Sequence, residues 1–198
     1  MHAAEEARST VVHPTALVAP GARLGQGVVI GPWCSVGPDV TIEDGVELIS
    51  HVVVDGHTRL GAGSRYFPFC TVGMAPQDLK YKGEPTRCEI GAGTVVREHV
   101  TIHRGTATGS GLTKVGQNVL IMANAHVAHD CVLGDRVIIV NNVGLGGHVT
   151  LEDDARIMGP AAIHQFLRIG HSALVGSVVR VHADVLPYGC GLGHRPAP

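Results

Sequence analysis

Reading every sixth residue from Val12 gives an unbroken aliphatic column: Val12, Val18, Leu24, Ile30, Val36, Ile42, Leu48, Val54 and Leu60. The same phase continues through Val72, Ile90, Val96 and Ile102. It then slips by one residue and resumes as Val115, Ile121, Val127, Leu133, Ile139, Leu145, Leu151, Ile157, Ile163, Ile169, Val175 and Val181. A second column lies two residues earlier and is small or β-branched: Ala16, Ala22, Val28, Cys34, Val40, Val46 and Val52, then Val119, Ala125, Cys131, Val137, Val143 and Val149. Residues i and i−2 share one face of a strand, so each hexad predicts a short strand with two inward side chains, followed by a corner. Glycine often follows the aliphatic position, as at Gly25, Gly31, Gly37, Gly61, Gly116, Gly134 and Gly170, where a turn is expected to use its freedom in φ. Neither an α-helix nor a hairpin repeats every six residues. The pattern predicts an all-β solenoid whose coils stack about one strand spacing, roughly 4.8 Å, apart.

Two stretches break the phase and are expected to leave the solenoid as loops. In Met74–Arg87 the inward positions fall on Asp78 and Glu84, whose unpaired burial is costly. In Arg104–Lys114 the phase slips. Loops on a rigid scaffold commonly carry function, although either is equally readable as a tolerated surface insertion. The expected organisation is an N-terminal segment 1–11, a β-helix over 12–187 with loops near 74–87 and 104–114, and a C-terminal tail 188–198.

Composition then narrows the class. The chain has 27 Gly and 11 Pro, but 44% hydrophobic residues argue against disorder. A formal net charge of −2 leaves no footprint for nucleic acid. The start, MHAAEEARST, does not read as a secretory signal, and no apolar run is long enough to enter a bilayer. Cys34, Cys70, Cys88 and Cys131 fall in the small inward column and read as core residues; Cys190 is unassigned.

There are 13 histidines, five of them between His126 and His171. With coils of eighteen residues, His129 stacks under Gly147 and Gly147 under Gln165, while Asp130 stacks under His148 and Phe166. Such a patch suits acid–base chemistry: imidazole titrates near neutrality, a carboxylate orients it, and a glycine brings a backbone N–H close to a developing oxyanion. The blander reading is that corner histidines merely face solvent. Contact between adjacent His129 and Asp130 requires a corner there, since a straight strand points them apart.

The strings SHVVVDGHTRLG, QDLKYKGEPTRCEIG, VTIHRGT, GLTKVG, NAHVAHDC, IHQF and DVLPYG resemble, in order and from about Val12 to Pro198, the acyl-[acyl-carrier-protein]–UDP-N-acetylglucosamine O-acyltransferases. That family carries out the first acylation of lipid A biosynthesis. The resemblance implies a three-sided, left-handed parallel β-helix, a cytoplasmic homotrimer with sites between subunits, and no cofactor or metal. It implies His129 as general base, Asp130 as its orienting carboxylate and Gly147 as oxyanion donor. Asp78, Lys80, His126, His148, His164 and Gln165 match positions lining the UDP-N-acetylglucosamine and acyl-carrier-protein site. Ser177 matches the acyl-length determinant and implies a shorter or altered acyl group. The family continues into a helical C-terminal domain where this sequence ends, at GLGHRPAP. The alternatives are transfer to another UDP-sugar, a non-catalytic binding homologue lacking that domain, and a metal-dependent hydratase using three imidazoles on the same solenoid.

Overall fold

The structure, a computed structural model, describes residues 9–191. The described residues form a left-handed parallel β-helix of 27 short strands arranged in three parallel sheets of ten, nine and eight strands. Successive strands go to different sheets, and each pairs with the strand one full coil later. Val127 lies beside Leu145, and Ile121 beside Ile139, eighteen residues on. Both inward columns are buried through most of the solenoid, with Ile139, Val137, Val143 and Val149 at 0–1% exposure; in the first coil Ala16, Val18, Ala22 and Leu24 are only partly buried and Val12 is exposed. Burial pushes the thiols of Cys70, Cys88 and Cys131 up to about 12, which keeps them protonated, inert core residues.

The corners explain the hexad more fully than the sequence does. In the second half, Asn118, Asn124, Asp130, Arg136, Asn142, His148 and Asp154 recur at every sixth position, all with φ between 55° and 63°. Asn and Asp tolerate this left-handed conformation best; histidine and arginine there carry a steric cost. Gly25, Gly31, Gly37, Gly61, Gly116, Gly134 and Gly170 are not at positive φ, contrary to expectation. Their role is close approach: a Cβ at Gly31 would lie 1.8 Å from the Ile49 carbonyl oxygen of the next coil.

The two interruptions appear as insertions within otherwise regular coils. Leu60 pairs with Ile90, and Val72 with Ile102, thirty residues on; the next coil pairs Ile102 with Val127, twenty-five on. The first loop occupies 75–86. The second is shorter than expected, ending at residue 111: Leu112–Val115 is a strand aligned on Arg87–Ile90, and Thr113 is fully buried as its inward residue. A polar residue in the inward column hid this strand.

The expected ends of the solenoid also shift. Val11–Val12 already pairs with Val29–Ile30. At the other end Cys190–Gly191 pairs with Leu174–Val175, so the last strand lies within the segment expected to be a tail. The hexad is broken between Val181 and Cys190, so periodicity did not reach it. Residues 1–8 and 192–198 of the expected terminal segments lie outside the described residues.

Candidate active site

The strand His126–Val127 ends in a corner at His129 and Asp130. Asp130 has φ 60°, and this left-handed turn folds its side chain back toward its neighbour. His129 Nδ1 and Asp130 Oδ2 lie 2.9 Å apart. The Asp130 side chain is fully buried, yet surrounded by donors from the 104–111 loop. Oδ1 accepts from the Thr106 N–H, the Gly111 N–H and the Ser110 hydroxyl; Oδ2 accepts from the Thr106 N–H and its hydroxyl at 2.7 Å. Burial raises the carboxyl's pKa, but hydrogen bonds from Thr106, His129 and Ser110 outweigh it and hold Asp130 below the ordinary aspartate range. An ionised Asp130 is an acceptor only, so His129 places its proton on Nδ1 and keeps the Nε2 lone pair free.

Gly147 lies close against that nitrogen. A Cβ on Gly147 would lie 2.6 Å from His129 Cε1 and 2.8 Å from Nε2, so a side chain at 147 would push the imidazole aside. The Gly147 N–H has no acceptor among the described residues. His148, from the same corner one coil on, sets its ring edge-on to His129 at 5.1 Å and stacks on exposed Phe166 at 4.4 Å. Its Nε2 lies 3.9 Å from Asp130 Oδ2. Ligand atoms of His129, Asp130 and His148 fall within 4.8 Å of one another, a spacing compatible with a metal ion. The Asp130 oxygens, however, already receive five donor groups for roughly four lone-pair directions, and His129 Nδ1 is one of them. This donor set fits an oriented imidazole better than a metal centre.

Other expected site residues are placed less closely. His126 Nδ1 lies 2.7 Å from the Thr101 hydroxyl, and its ring meets His103 edge-on at 4.8 Å. His164 and Gln165 are exposed on the next coil, joined by a contact of His164 Nδ1 with the Gln165 carbonyl at 3.2 Å. Asp78 and Lys80 sit on the 75–86 loop, with no hydrogen bond or ion pair to the histidine cluster among the described residues. Ser177 is exposed at a bend remote from His129 in sequence and outside its hydrogen-bond network.

Sequence reasoning missed the segment 101–106, which contacts His126, Asp130 and the 75–86 loop. Thr101 holds His126, His103 packs on it, Arg104 reaches the 75–86 loop through Tyr81, and Thr106 caps Asp130. The signal was present in VTIHRGT, but its roles depend on neighbouring coils. His103 is 5% exposed and its Nδ1 has no hydrogen-bond partner among the described residues. Burial, then repulsion from His126, His129 and Arg104, depresses its pKa to about 4. The unfolded chain protonates this residue near the ordinary value of about 6.5 and so binds more protons between those limits. The stability His103 contributes is complete above about 6.5 and is lost as the pH falls toward 4. Urea midpoints are expected to fall over that range, and less steeply in His103→Phe, which keeps an aromatic ring and removes the titration.

The family model for bacterial transferase hexapeptide repeats (six repeats) matches residues 112–147. Among solved structures, LpxA from Acinetobacter baumannii superposes with a TM-score of 0.89 at 46% identity, over 90% of this chain and 69% of that one. LpxA from Bacteroides fragilis, a UDP-N-acetylglucosamine acyltransferase, gives 0.88 at 36% identity over 91% and 70%. The UDP-N-acetylglucosamine acyltransferase from Campylobacter jejuni gives 0.90 at 37% over 93% and 72%. Identity at this level along nine-tenths of the chain reaches well beyond a shared solenoid. The chain belongs to the UDP-N-acetylglucosamine acyltransferase (LpxA) family of hexapeptide-repeat acyltransferases.

Proposed function

We propose that this chain transfers an (R)-3-hydroxyacyl group from acyl carrier protein to the 3-hydroxyl of UDP-N-acetylglucosamine, the first acylation of lipid A biosynthesis. The observation that carries the reading is the His129–Asp130 pair, whose buried carboxylate fixes the Nδ1–H tautomer and leaves the Nε2 lone pair free beside Gly147. In this reaction the sugar hydroxyl oxygen attacks the thioester carbonyl while its proton passes to His129 Nε2. The Gly147 N–H donates to the tetrahedral oxyanion. Collapse breaks the C–S bond, and the carrier's thiolate leaves with the proton that His129 returns.

Asp78, Lys80, His126, His148, His164 and Gln165 are the groups proposed to bind the acceptor and the donor's arm. Asp78 and Lys80 lie on a loop apart from the cluster, which supports a site completed by a neighbouring copy in a homotrimer. Trp33, Phe69 and Val178, exposed by 51–80% along one corner of the solenoid, supply apolar surface for such packing. No helix among the described residues is long and apolar enough to cross a membrane. A cytoplasmic location is part of the proposal, since carrier-bound acyl groups and nucleotide sugars are held there.

The test is transfer from 3-hydroxyacyl carrier proteins of several chain lengths to UDP-N-acetylglucosamine, with a 3-amino analogue as competing acceptor. Turnover preferring the 3-hydroxyl supports the reading, and preference for the amine replaces the acceptor. Ser177 is proposed to shorten the acyl groove. The protein is therefore expected to favour shorter donors, and Ser177→Gly to shift the optimum toward longer ones; an unchanged chain-length profile removes the role.

A further inference from the structure

The chemistry above makes no use of Arg104 or Tyr81, yet the two side chains form the most elaborate contact between the solenoid and its long loop. Arg104 follows the strand Thr101–His103, and its side chain is only 15% exposed. Its Nη1 donates to the Gly73 carbonyl at 2.8 Å, and its Nε donates to the Tyr81 hydroxyl at 2.9 Å. Its backbone N–H donates to the Met74 carbonyl at 3.1 Å, and Asp55 lies 4.0 Å from the guanidinium. One residue thus grips both the point where the loop departs and a residue in its middle. Gly56 provides the space: with φ 63°, it would place a Cβ 2.4 Å from Arg104 Nη1.

Tyr81 passes this constraint into the loop. Its hydroxyl donates to the Glu84 carbonyl at 2.7 Å, and its N–H donates to the Asp78 carbonyl at 3.0 Å. Within the same turn the Lys80 N–H donates to Asp78 Oδ1 at 2.9 Å. Asp78 and Lys80 are therefore carried on a turn whose closing residue is Tyr81. The segment 75–86 has no strand pairing of its own, and Leu79 at its tip is 98% exposed. Without a tether, such a segment samples many placements, and groups that must meet a substrate lose orientation. Arginine suits the task better than lysine because its planar fork reaches two acceptors at fixed angles.

We infer that Arg104 and Tyr81 are positioning residues: a latch that holds the Asp78–Tyr81 turn in place for the acceptor nucleotide sugar. The inference rests on the assignment of Asp78 and Lys80 as acceptor-binding groups. Tyr81→Phe keeps the ring and removes the hydroxyl that accepts from Arg104 and donates to Glu84. The KM for UDP-N-acetylglucosamine is expected to rise about tenfold, with kcat changed less than about threefold and the thermal midpoint unmoved. Arg104→Lys should act in the same direction. In a Lys80→Ala background, Tyr81→Phe should add little, because the group it positions is already gone. An unchanged KM, or the same KM increase with and without Lys80, overturns the inference. Hydrogen exchange on the protein without substrate decides the latch separately from the reaction. Amides of residues 78–84 should exchange faster in both variants while the core strands do not, and unaltered exchange refutes the latch even if the parent is active. A parent that fails to acylate UDP-N-acetylglucosamine while its variants loosen the loop would count against the proposed reaction and leave the latch standing.

Discussion

Replacing His129 by alanine is expected to lower kcat for acyl transfer by 10²–10⁴-fold, the usual range for loss of a positioned general base. The side chain reaches the surface of its corner, so the hydrophobic columns beneath it are untouched, and far-UV circular dichroism and oligomer mass should match the parent. The KM for the nucleotide sugar should move little, because the lost interaction develops with proton transfer and not in the ground state. A fall of less than tenfold would remove His129 as the base and direct attention to His126 or His148, whose rings lie in the same cluster. Steady-state transfer to UDP-N-acetylglucosamine, measured beside the parent, is the check.

Asp130→Asn is expected to cost nearly as much, about 10³–10⁴-fold, by reversing the tautomer of His129 without displacing it. The direction follows from the donors around the carboxylate. Oδ1 alone faces the Gly111 N–H, a backbone donor that cannot turn away, while the Thr106 N–H is shared between the two oxygens. Oδ2 faces the Thr106 hydroxyl, which can rotate, and His129 Nδ1. Asparagine therefore keeps its carbonyl oxygen at the Oδ1 position and sets its NH₂ toward the imidazole. His129 Nδ1 must then accept a hydrogen bond, its proton moves to Nε2, and the nitrogen that should receive the substrate proton is no longer free. Loss of activity with a near-parental unfolding midpoint is the expected pair of measurements. Asp130→Ala should differ by also lowering stability, since it leaves several buried donors without an acceptor, at about 1–3 kcal/mol each. An asparagine variant retaining more than a tenth of the parent's rate would show that the carboxylate does not set the tautomer.

These two residues also show how far the sequence reaches. Register arithmetic placed His129 beneath Gly147 and Asp130 beneath His148, because a repeat of fixed length converts separation in the chain into position along the solenoid. The inward columns were legible for a related reason: every coil repeats the same burial problem, so each aliphatic position confirms the next. Where repetition failed, legibility failed too. Thr113 reads as a loop residue because a threonine stands where the column predicts an apolar one, yet its hydroxyl accepts the Asp130 N–H at 2.8 Å inside the coil. Gly31 and its counterparts were credited with an unusual φ, whereas the adjacent coil's carbonyl forbids a side chain there.

The amino-acid sequence by itself determined the hexad, its two inward columns, the neighbourhood of both insertions and the histidine corner that carries the proposed chemistry. Only the tertiary structure decided which groups make that corner work. The 104–111 loop folds over Asp130 and supplies Thr106, Ser110 and Gly111 as donors, the buried His103 Nδ1 has no hydrogen-bond partner among the described residues, and Arg104 ties the 75–86 loop to the coils. Insertions have no period, so nothing in their spacing says where they return. A carboxylate's charge state in a dry corner depends on the balance between burial and the donors that surround it, and that balance exists only once the coils have stacked.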